Sequence, residues 1–305
     1  MVANRVIAEP LVSNGFELSR AADRLGWLEP TDAQRPVGEI WEQFQAQGYV
    51  WLKGILDRRM VLDFRALFFQ AYAELGLLAP GAPLEEGVYS GQREPSGAAR
   101  QKLVEITRWA DYEAFCLSEP IRRLYKAMLG GPVYLHKRKL IRYTIPHDPS
   151  CTGAHYDLVY LRAGTERVYT SWIPIGDTPV EMGGLVYLEG SDAWGRKQEA
   201  EFSRLNADLP PEQRISAYNK NMTDTGWLTR DLPSLAERLG TRWLAADYEA
   251  GDMVIHSAFM IHAATVNTDP RGRIRLSTDI RYQLVQDEID KRWATDWHPD
   301  DEAKF

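Results

Sequence analysis

The sequence predicts a mainly β protein, a jelly roll, with a helical part at its N-terminal end. Three observations support this prediction. Apolar residues recur at helical spacing before residue 132, and after Pro132 they come in short runs separated by turn residues, as in an antiparallel sandwich or barrel. No repeat or low-complexity linker divides the 305 residues. We therefore expect one domain, with a mostly helical part at 1–131, a jelly-roll core at 132–285 and a C-terminal tail at 286–305.

The helical part begins its regular pattern only at residue 37, because residues 1–36 are mixed and show no clear periodicity. Apolar spacing predicts a helix over 37–48, and the β-forming residues at 49–52 predict a short strand. Asp57 is placed to cap a helix that runs to about residue 76. A further helix is expected from Ser118 to Gly130, with proline in its first turn and glycine after its end.

The predicted core strands are short apolar runs bounded by turn residues. They lie at 133–145, 158–161, 168–175, 184–188, 253–255 and 273–284. The segment 193–243 interrupts this pattern, since it is polar and yet carries the large aromatic residues Trp194, Tyr218, Trp227 and Trp243. Insertions of this length between strands are usually functional or disordered, so we expect a lid over the mouth of the barrel.

Composition and charge exclude several classes of protein. The formal net charge of −7 disfavours sequence-independent binding of nucleic acid, which relies on basic residues. No 18-residue apolar run and no signal-peptide pattern is present, and the two cysteines offer no disulfide framework. These features predict a cytoplasmic protein that binds neither nucleic acid nor membrane, and they leave the oligomeric state open.

The first candidate site is the triplet His155-Tyr156-Asp157, which follows a turn-like segment. On an extended strand, residues i and i+2 point to the same face, so the imidazole and the carboxylate can meet at one metal ion. A third ligand can come from His256 or from His262 in the run 251–267. Two histidines and one carboxylate with open positions are typical of non-haem Fe(II) oxygenases. The alternative is that these histidines are buried core residues, and for His256 we favour that alternative.

A second candidate site lies on the last predicted strand, where alternation puts Arg273, Arg275 and Ser277 on one face. A guanidinium held inside a barrel can bind a carboxylate through two parallel hydrogen bonds. The alternative is a solvent-facing basic edge that keeps strands from associating.

Over residues 40–285 the sequence resembles the phytanoyl-CoA dioxygenase-like family of Fe(II)/2-oxoglutarate-dependent oxygenases. The resemblance includes the opening GYVWLKGIL at 48–56, the HxD triplet at 155–157, and WIPI at 172–175 leading to EMGGL at 181–185. It continues with LEGS at 188–191 and ends with Gly251-Asp252, His262 and an arginine eleven residues later. It implies a double-stranded β-helix, the cupin-like jelly roll.

The resemblance also implies roles for individual residues. His155, Asp157 and His262 become the ligands of Fe(II), and Arg273 becomes the partner of the 2-oxoglutarate carboxylate, with Arg275 as the alternative if the strand register differs. Weaker assignments to cosubstrate binding are Ser277, Tyr143, Lys139 and Trp172.

The implied activity is a dioxygenase reaction in which Fe(II), 2-oxoglutarate and O2 oxidise a C–H bond of a small molecule. Succinate and CO2 are the co-products, hydroxylation is the default outcome, and desaturation, cyclisation and epimerisation stay open. Asp157 disfavours a halogenase, which would lack this carboxylate. The rival functions are a non-catalytic jelly roll that binds a small ligand and a metal hydrolase. The aromatic residues of 193–243 favour an aromatic or cyclic substrate, as in secondary metabolism.

Overall fold

The computed structural model describes residues 7, 9–94, 96–210, 213–214, 217 and 226–298. The α-helices of this part are α1 (Val37–Gln47), α2 (Arg58–Tyr72), α3 (Ala98–Ile106), α4 (Ala110–Cys116), α5 (Glu119–Leu129), α6 (Leu158–Leu161), α7 (Ser191–Leu205) and α8 (Leu232–Leu239). Short 3-10 helices lie at Ala73–Leu75, Leu84–Glu86, Val180–Met182 and Lys291–Trp293. No helix in the described part of the chain is long and apolar enough to cross a membrane.

The strands of the described residues build two facing sheets and one small hairpin. They are β1 (Val12–Ser13), β2 (Phe16–Glu17), β3 (Leu25–Trp27), β4 (Pro30–Asp32), β5 (Tyr49–Lys53), β6 (Val133–Leu135), β7 (Leu140–Thr144), β8 (Tyr169–Pro174), β9 (Leu185–Leu188), β10 (Trp243–Ala245), β11 (Met253–Ser257), β12 (His262–Ala264) and β13 (Arg275–Leu284). The large sheet has the order β4-β5-β11-β8-β13-β6, with β7 also paired to β13. The small sheet has the order β12-β9-β10-β3. This arrangement confirms the predicted jelly roll.

The helices expected in the N-terminal part are confirmed as α1, α2 and α5. The Asp57 carboxylate accepts a hydrogen bond from the Met60 amide, as the predicted cap requires. The helices cover the outer face of the large sheet, where their apolar residues share one core with alternate residues of β13 such as Ile280 and Tyr282. This layer holds the large sheet rigidly, because a close-packed core resists displacement of its strands.

The central strand β13 is buried along its whole length, and yet every second residue is polar. Leu276, Ile280 and Tyr282 face the helical layer. The opposite face, which looks into the interior between the sheets, carries Arg275, Ser277, Asp279, Arg281 and Gln283. Burial of polar side chains is costly unless they have partners, so this face marks the position of a functional interior.

The observed local structure differs from the sequence analysis, or adds to it, in three places. The apolar run at 158–161 is a helical turn, α6, because four apolar residues between turns fit a buried helix as well as a strand. Residues 12–32, which lack periodicity, contain the four short strands β1–β4. The segment 193–243 is not a uniform lid, since α7 begins before it and Trp243 lies in the core strand β10.

Candidate metal centre and cavity

The three ligands expected for a metal, His155, Asp157 and His262, come together and are buried. His155 and His262 face each other across an antiparallel bridge, in which each amide donates to the other residue's carbonyl at 3.1 and 3.0 Å. Asp157 follows this bridge and precedes α6. Its Oδ1 lies 3.7 Å from Nε2 of His155 and 3.9 Å from Nε2 of His262.

The hydrogen bonds of the two imidazole rings fix which nitrogen is free. The Nδ1–H of His155 donates to the Gly153 carbonyl at 2.9 Å, and that of His262 donates to the Met260 carbonyl at 3.0 Å. Burial lowers the pKa of His155, and burial together with His155 lowers the pKa of His262 well below its usual value. The lowered pKa values favour the neutral rings that metal binding requires, and the Nε2 atoms, which are not used by these hydrogen bonds, lie on the side of Asp157.

Asp157 is ionised although it is buried. Burial by itself favours the neutral acid, but the Arg281 guanidinium, and next the neighbouring His256 ring, hold the pKa of this carboxyl well below its usual range. Two neutral imidazole nitrogens and one carboxylate form the donor set that suits Fe(II) with open positions. The residues present thus fit the implied iron.

The second oxygen of Asp157 is held by residues that the sequence did not single out. Oδ2 accepts hydrogen bonds from the Thr170 hydroxyl and from Nη2 of Arg281, the latter at 3.2 Å. Such partners orient a metal ligand and tune its charge. The signal that could have found Arg281 is the alternation of polar residues along β13, which continues beyond Ser277.

His256 lies beside this group without belonging to it. Its ring is fully buried, its Nδ1 lies 3.1 Å from the Tyr187 hydroxyl, and its Nε2 lies 3.5 Å from Oδ2 of Asp157. Its ring also packs against the ring of His262, with the two centroids 4.4 Å apart. This position agrees with the core role favoured from the sequence, with a contact to the site added.

Arg273 and Arg275 differ sharply in their surroundings. Arg273 donates its Nε and Nη2 to the Asp269 carboxylate at 2.9 and 2.7 Å, and its side chain is 15% exposed. Arg275 is buried, donates to the Gly183 carbonyl and to the Thr144 hydroxyl, and forms no ion pair within the described residues. Burial, and next the neighbouring Arg142, lower the pKa of Arg275 to about 10. Arg275 is thus a buried cation that has no anionic partner among them.

Ser277 and Trp172 lie in the same interior, on β13 and on the adjoining strand β8. The Ser277 hydroxyl, the Trp172 indole nitrogen and Nε of Arg275 are buried, and none of them has a hydrogen-bond partner among the described residues. Buried polar atoms of this kind call for a ligand that supplies acceptors. The expected placement of Ser277 beside the arginine is observed.

Lys139 and Tyr143 lie on the wrong face for the role expected of them. Lys139 is buried against α4, where its Nζ pairs with Glu113, and Tyr143 packs edge-on against Tyr72 of α2. The residues of β7 that face the interior are the alternate ones, such as Arg142. Both faces of β7 adjoin other parts of the protein, so polarity alone did not reveal which one lines the site.

A cavity of about 520 Å³ opens next to His155 and Asp157. Its walls carry four guanidinium groups and four aromatic rings. The arginines are Arg138, Arg142, Arg281 and Arg292, and the aromatic residues are Tyr160, Trp227, Trp293 and Trp297. The segment 291–298, which we expected to be a tail, supplies part of this wall.

Only part of the expected lid lies at the cavity. Trp227 is in the wall, whereas Trp194 packs against a separate core and Trp243 is buried within that core. Tyr218 lies outside the described residues. Of the aromatic residues expected in the lid, Trp227 lines the cavity, together with Trp293 and Trp297, which the sequence analysis did not single out.

Comparison with known proteins adds a family and several relatives. The profile of the phytanoyl-CoA dioxygenase (PhyH) family matches residues 44–275. The 1-deoxypentalenic acid 11-beta-hydroxylase of Streptomyces arenae is 26% identical over 263 residues, which cover 83% of both chains. A non-haem alpha-ketoglutarate-dependent carbocyclase, SnoK from nogalamycin biosynthesis, has the same fold, with a TM-score of 0.54, 21% identity and coverage of 86% of this chain and 89% of its own. The epimerase SnoN, solved with Fe3+ and alpha-ketoglutarate, gives a TM-score of 0.53, 19% identity and coverage of 83% and 85%.

Proposed function

We propose a function from one premise: the chain belongs to the phytanoyl-CoA dioxygenase family and is an Fe(II)/2-oxoglutarate-dependent oxygenase. It oxidises a C–H bond of a small molecule, by hydroxylation or a related step that tailors a secondary metabolite, and releases succinate and CO2. The observation that carries this proposal is the buried group His155, Asp157 and His262, whose two imidazole Nε2 atoms converge on one carboxylate.

His155, Asp157 and His262 hold the iron in this proposal. The iron, when bound with 2-oxoglutarate and O2, supplies the oxidant that removes hydrogen from the substrate. The protein provides the geometry: the Gly153 and Met260 carbonyls fix the two rings. Thr170 and Arg281 hold Oδ2 of Asp157, and this leaves Oδ1 toward the imidazoles.

Arg275 is proposed to bind the distal carboxylate of 2-oxoglutarate. Its charge has no anionic partner among the described residues, whereas the charge of Arg273 is neutralised by Asp269. A guanidinium and a carboxylate can form two parallel hydrogen bonds, and Ser277 and Trp172 offer further donors in the same interior. Arg275 was the alternative to Arg273 in the sequence analysis, for the case that the strand register differs.

The substrate is proposed to occupy the cavity next to His155 and Asp157. Its volume of about 520 Å³ lies within the range for sites of small organic ligands. The relatives support a role in secondary metabolism, since one acts, by its name, on 1-deoxypentalenic acid and another functions in nogalamycin biosynthesis. A cytoplasmic location is proposed because both cysteines are free, as is usual in a reducing compartment.

Succinate formation tests the proposed activity against a non-catalytic binding protein. The iron-loaded enzyme is expected to convert 2-oxoglutarate to succinate only when O2 is present, and Asp157→Ala is expected to abolish this conversion because the carboxylate ligand is lost. Mass spectrometry of 2-oxoglutarate and succinate in parallel aerobic and anaerobic reactions measures it. A protein that binds iron and 2-oxoglutarate but forms no succinate in air would contradict the activity and favour the binding protein.

Trp227→Ala is expected to weaken binding of the primary substrate. Decarboxylation of 2-oxoglutarate in the absence of substrate is expected to stay largely intact. The indole lines the cavity but belongs to a segment that carries no proposed metal or cosubstrate ligand. Removing one large apolar contact corresponds to a rise in KM of roughly ten-fold or more. Steady-state kinetics with and without substrate separate the two effects.

Trp194→Ala is the matched control, since this tryptophan comes from the same segment and packs away from the cavity. Equal KM values for the two variants would return Trp227 to a purely structural role.

A further inference from the structure

We propose that the substrate of this enzyme carries a carboxylate on an apolar ring system, and that Arg142 binds this carboxylate inside the cavity. The inference rests on the proposed function, because it places the anionic group relative to the proposed metal centre. The ligand class proposed for the cavity is a compact carboxylic acid.

Charge is the first observation that supports an acid. Four guanidinium groups line the cavity, whereas Asp157 supplies the carboxylate in the part of the wall that the structure describes. Asp279 and Asp290 pair with Arg142 and Arg292 but are not lining residues. Asp157 already pairs with Arg281 and is also proposed to serve a divalent metal ion. Together with the proposed metal ion, the four arginines carry more positive charge than these three carboxylates neutralise, and such a region attracts anions and disfavours cationic ligands.

Arg142 is the guanidinium best placed to hold an anion. It projects from the inner face of β7 and donates its Nε to Asp279 at 2.9 Å. Its side chain is 45% exposed although β7 is a core strand, because it reaches into the cavity. Within the described residues, its Nη1 and Nη2 have no hydrogen-bond partner. The pair with Asp279 fixes the guanidinium plane and leaves donors for a carboxylate.

The other arginines of the cavity have different tasks. Arg281 supports Asp157 and stacks on the Trp293 ring at 4.3 Å. Arg292 is held by Asp290 and by the Tyr160 carbonyl. Arg138 stacks on the Trp297 ring at 4.5 Å and donates to Thr295. These contacts make the three side chains parts of the wall.

The apolar body of the substrate is expected to pack on the remaining wall. Trp227, Trp293 and Trp297 present broad flat faces, and Leu140 and Tyr160 extend this surface to the metal centre, where the Tyr160 ring meets the His155 ring edge-on at 5.5 Å. Rigid aromatic walls favour a rigid ring system over a flexible chain, because less conformational entropy is lost on binding.

Two probes of identical shape test the charge requirement. 1-Adamantanecarboxylic acid and 1-adamantanecarboxamide share a tricyclic body and differ in the negative charge. They are titrated by calorimetry, without O2, into enzyme loaded with Fe(II) and 2-oxoglutarate. The acid is expected to bind at least about ten-fold more tightly than the amide, as befits a charge-assisted pair. Arg142→Gln is expected to remove this preference and to leave amide binding unchanged.

Two further variants sharpen the test. Arg142→Lys keeps the charge but loses the planar fork, so it is expected to retain part of the preference for the acid. Arg138→Gln, the matched control at the cavity wall, is expected to retain all of it. The dissociation constant for 2-oxoglutarate, measured in the same proteins, is expected to stay the same.

Several outcomes would overturn the inference. Equal affinities for acid and amide in the unaltered enzyme, or no binding of either probe by an enzyme that forms succinate, would exclude an apolar acid as the ligand. Loss of 2-oxoglutarate affinity in Arg142→Gln, with the preference for the acid intact, would assign Arg142 to the cosubstrate. Binding of the acid by an enzyme that forms no succinate would instead contradict the proposed function and leave the inferred ligand class intact.

Discussion

His155→Ala and His262→Ala are each expected to abolish iron binding and turnover, whereas His256→Ala retains most of both. The Nε2 atoms of His155 and His262 lie 3.7 and 3.9 Å from Oδ1 of Asp157, whereas Nε2 of His256 lies 3.5 Å from the other oxygen, Oδ2. Loss of a direct ligand is expected to lower iron affinity by more than about 100-fold, the upper end of the loss caused by removing a hydrogen-bonded supporting residue. The effect of His256→Ala is expected to be smaller, because Nε2 of His256 has no hydrogen-bond partner among the described residues. Anaerobic titration with Fe(II), followed by measurement of bound iron after desalting, gives these values.

His256 is a stringent control because its ring is as deeply buried as the other two. If His256→Ala loses its iron and His262→Ala binds iron almost normally, the assignment is reversed, with His256 as the ligand and His262 as the core residue. Thermal unfolding of all three variants shows whether a loss of iron reflects the ligand or the fold.

Arg275→Ala is expected to raise the 2-oxoglutarate requirement on the order of 100-fold or more, with a much smaller effect on the requirement for substrate. The physical reason is that a carboxylate bound to a buried guanidinium loses two charge-assisted hydrogen bonds in a site screened from water. Separate KM values for 2-oxoglutarate and substrate, from succinate formation, measure the two effects.

Arg273→Ala provides the comparison for this prediction. Its guanidinium is already paired with Asp269, so its loss is expected to affect stability more than the 2-oxoglutarate requirement. If Arg273→Ala raises the KM for 2-oxoglutarate more than Arg275→Ala does, Arg273 is the residue that binds the cosubstrate, as the resemblance implied. Arg275→Lys, which keeps a buried charge, distinguishes loss of the cosubstrate from local collapse if the alanine variant unfolds.

The metal group could be predicted from the sequence because its pattern is local. His155 and Asp157 stand two residues apart, whereas the choice of His262 over His256 came from the family resemblance and its eleven-residue spacing to Arg273. The choice between Arg273 and Arg275 could not be predicted, since it depends on the ion pair of Arg273 with Asp269 just before the strand. Partners such as Thr170 meet Asp157 only after the sheet has formed.

The assignments of Lys139 and Tyr143 differ from the structure because the sequence did not show which face of β7 lines the interior. An amphipathic strand reveals its inner face through its apolar residues, but β7 lies between a helical layer and a polar interior. Lys139 and Tyr143 were therefore placed toward the cosubstrate, whereas Arg142 is the residue of this strand that lines the cavity. The jelly roll itself was predictable because runs of β-formers and turn residues alternate after Pro132.

Metal binding and the shape of the cavity depend on different parts of the chain, because residues 291–298 supply part of the cavity wall. The metal ligands depend on the packing of the two sheets, whereas Trp293 and Trp297 follow the last core strand, β13. Substitutions in this short stretch can reshape the cavity without disturbing the pairing of any strand that carries a metal ligand. Exchanging it between related oxygenases therefore offers a compact route to new substrates.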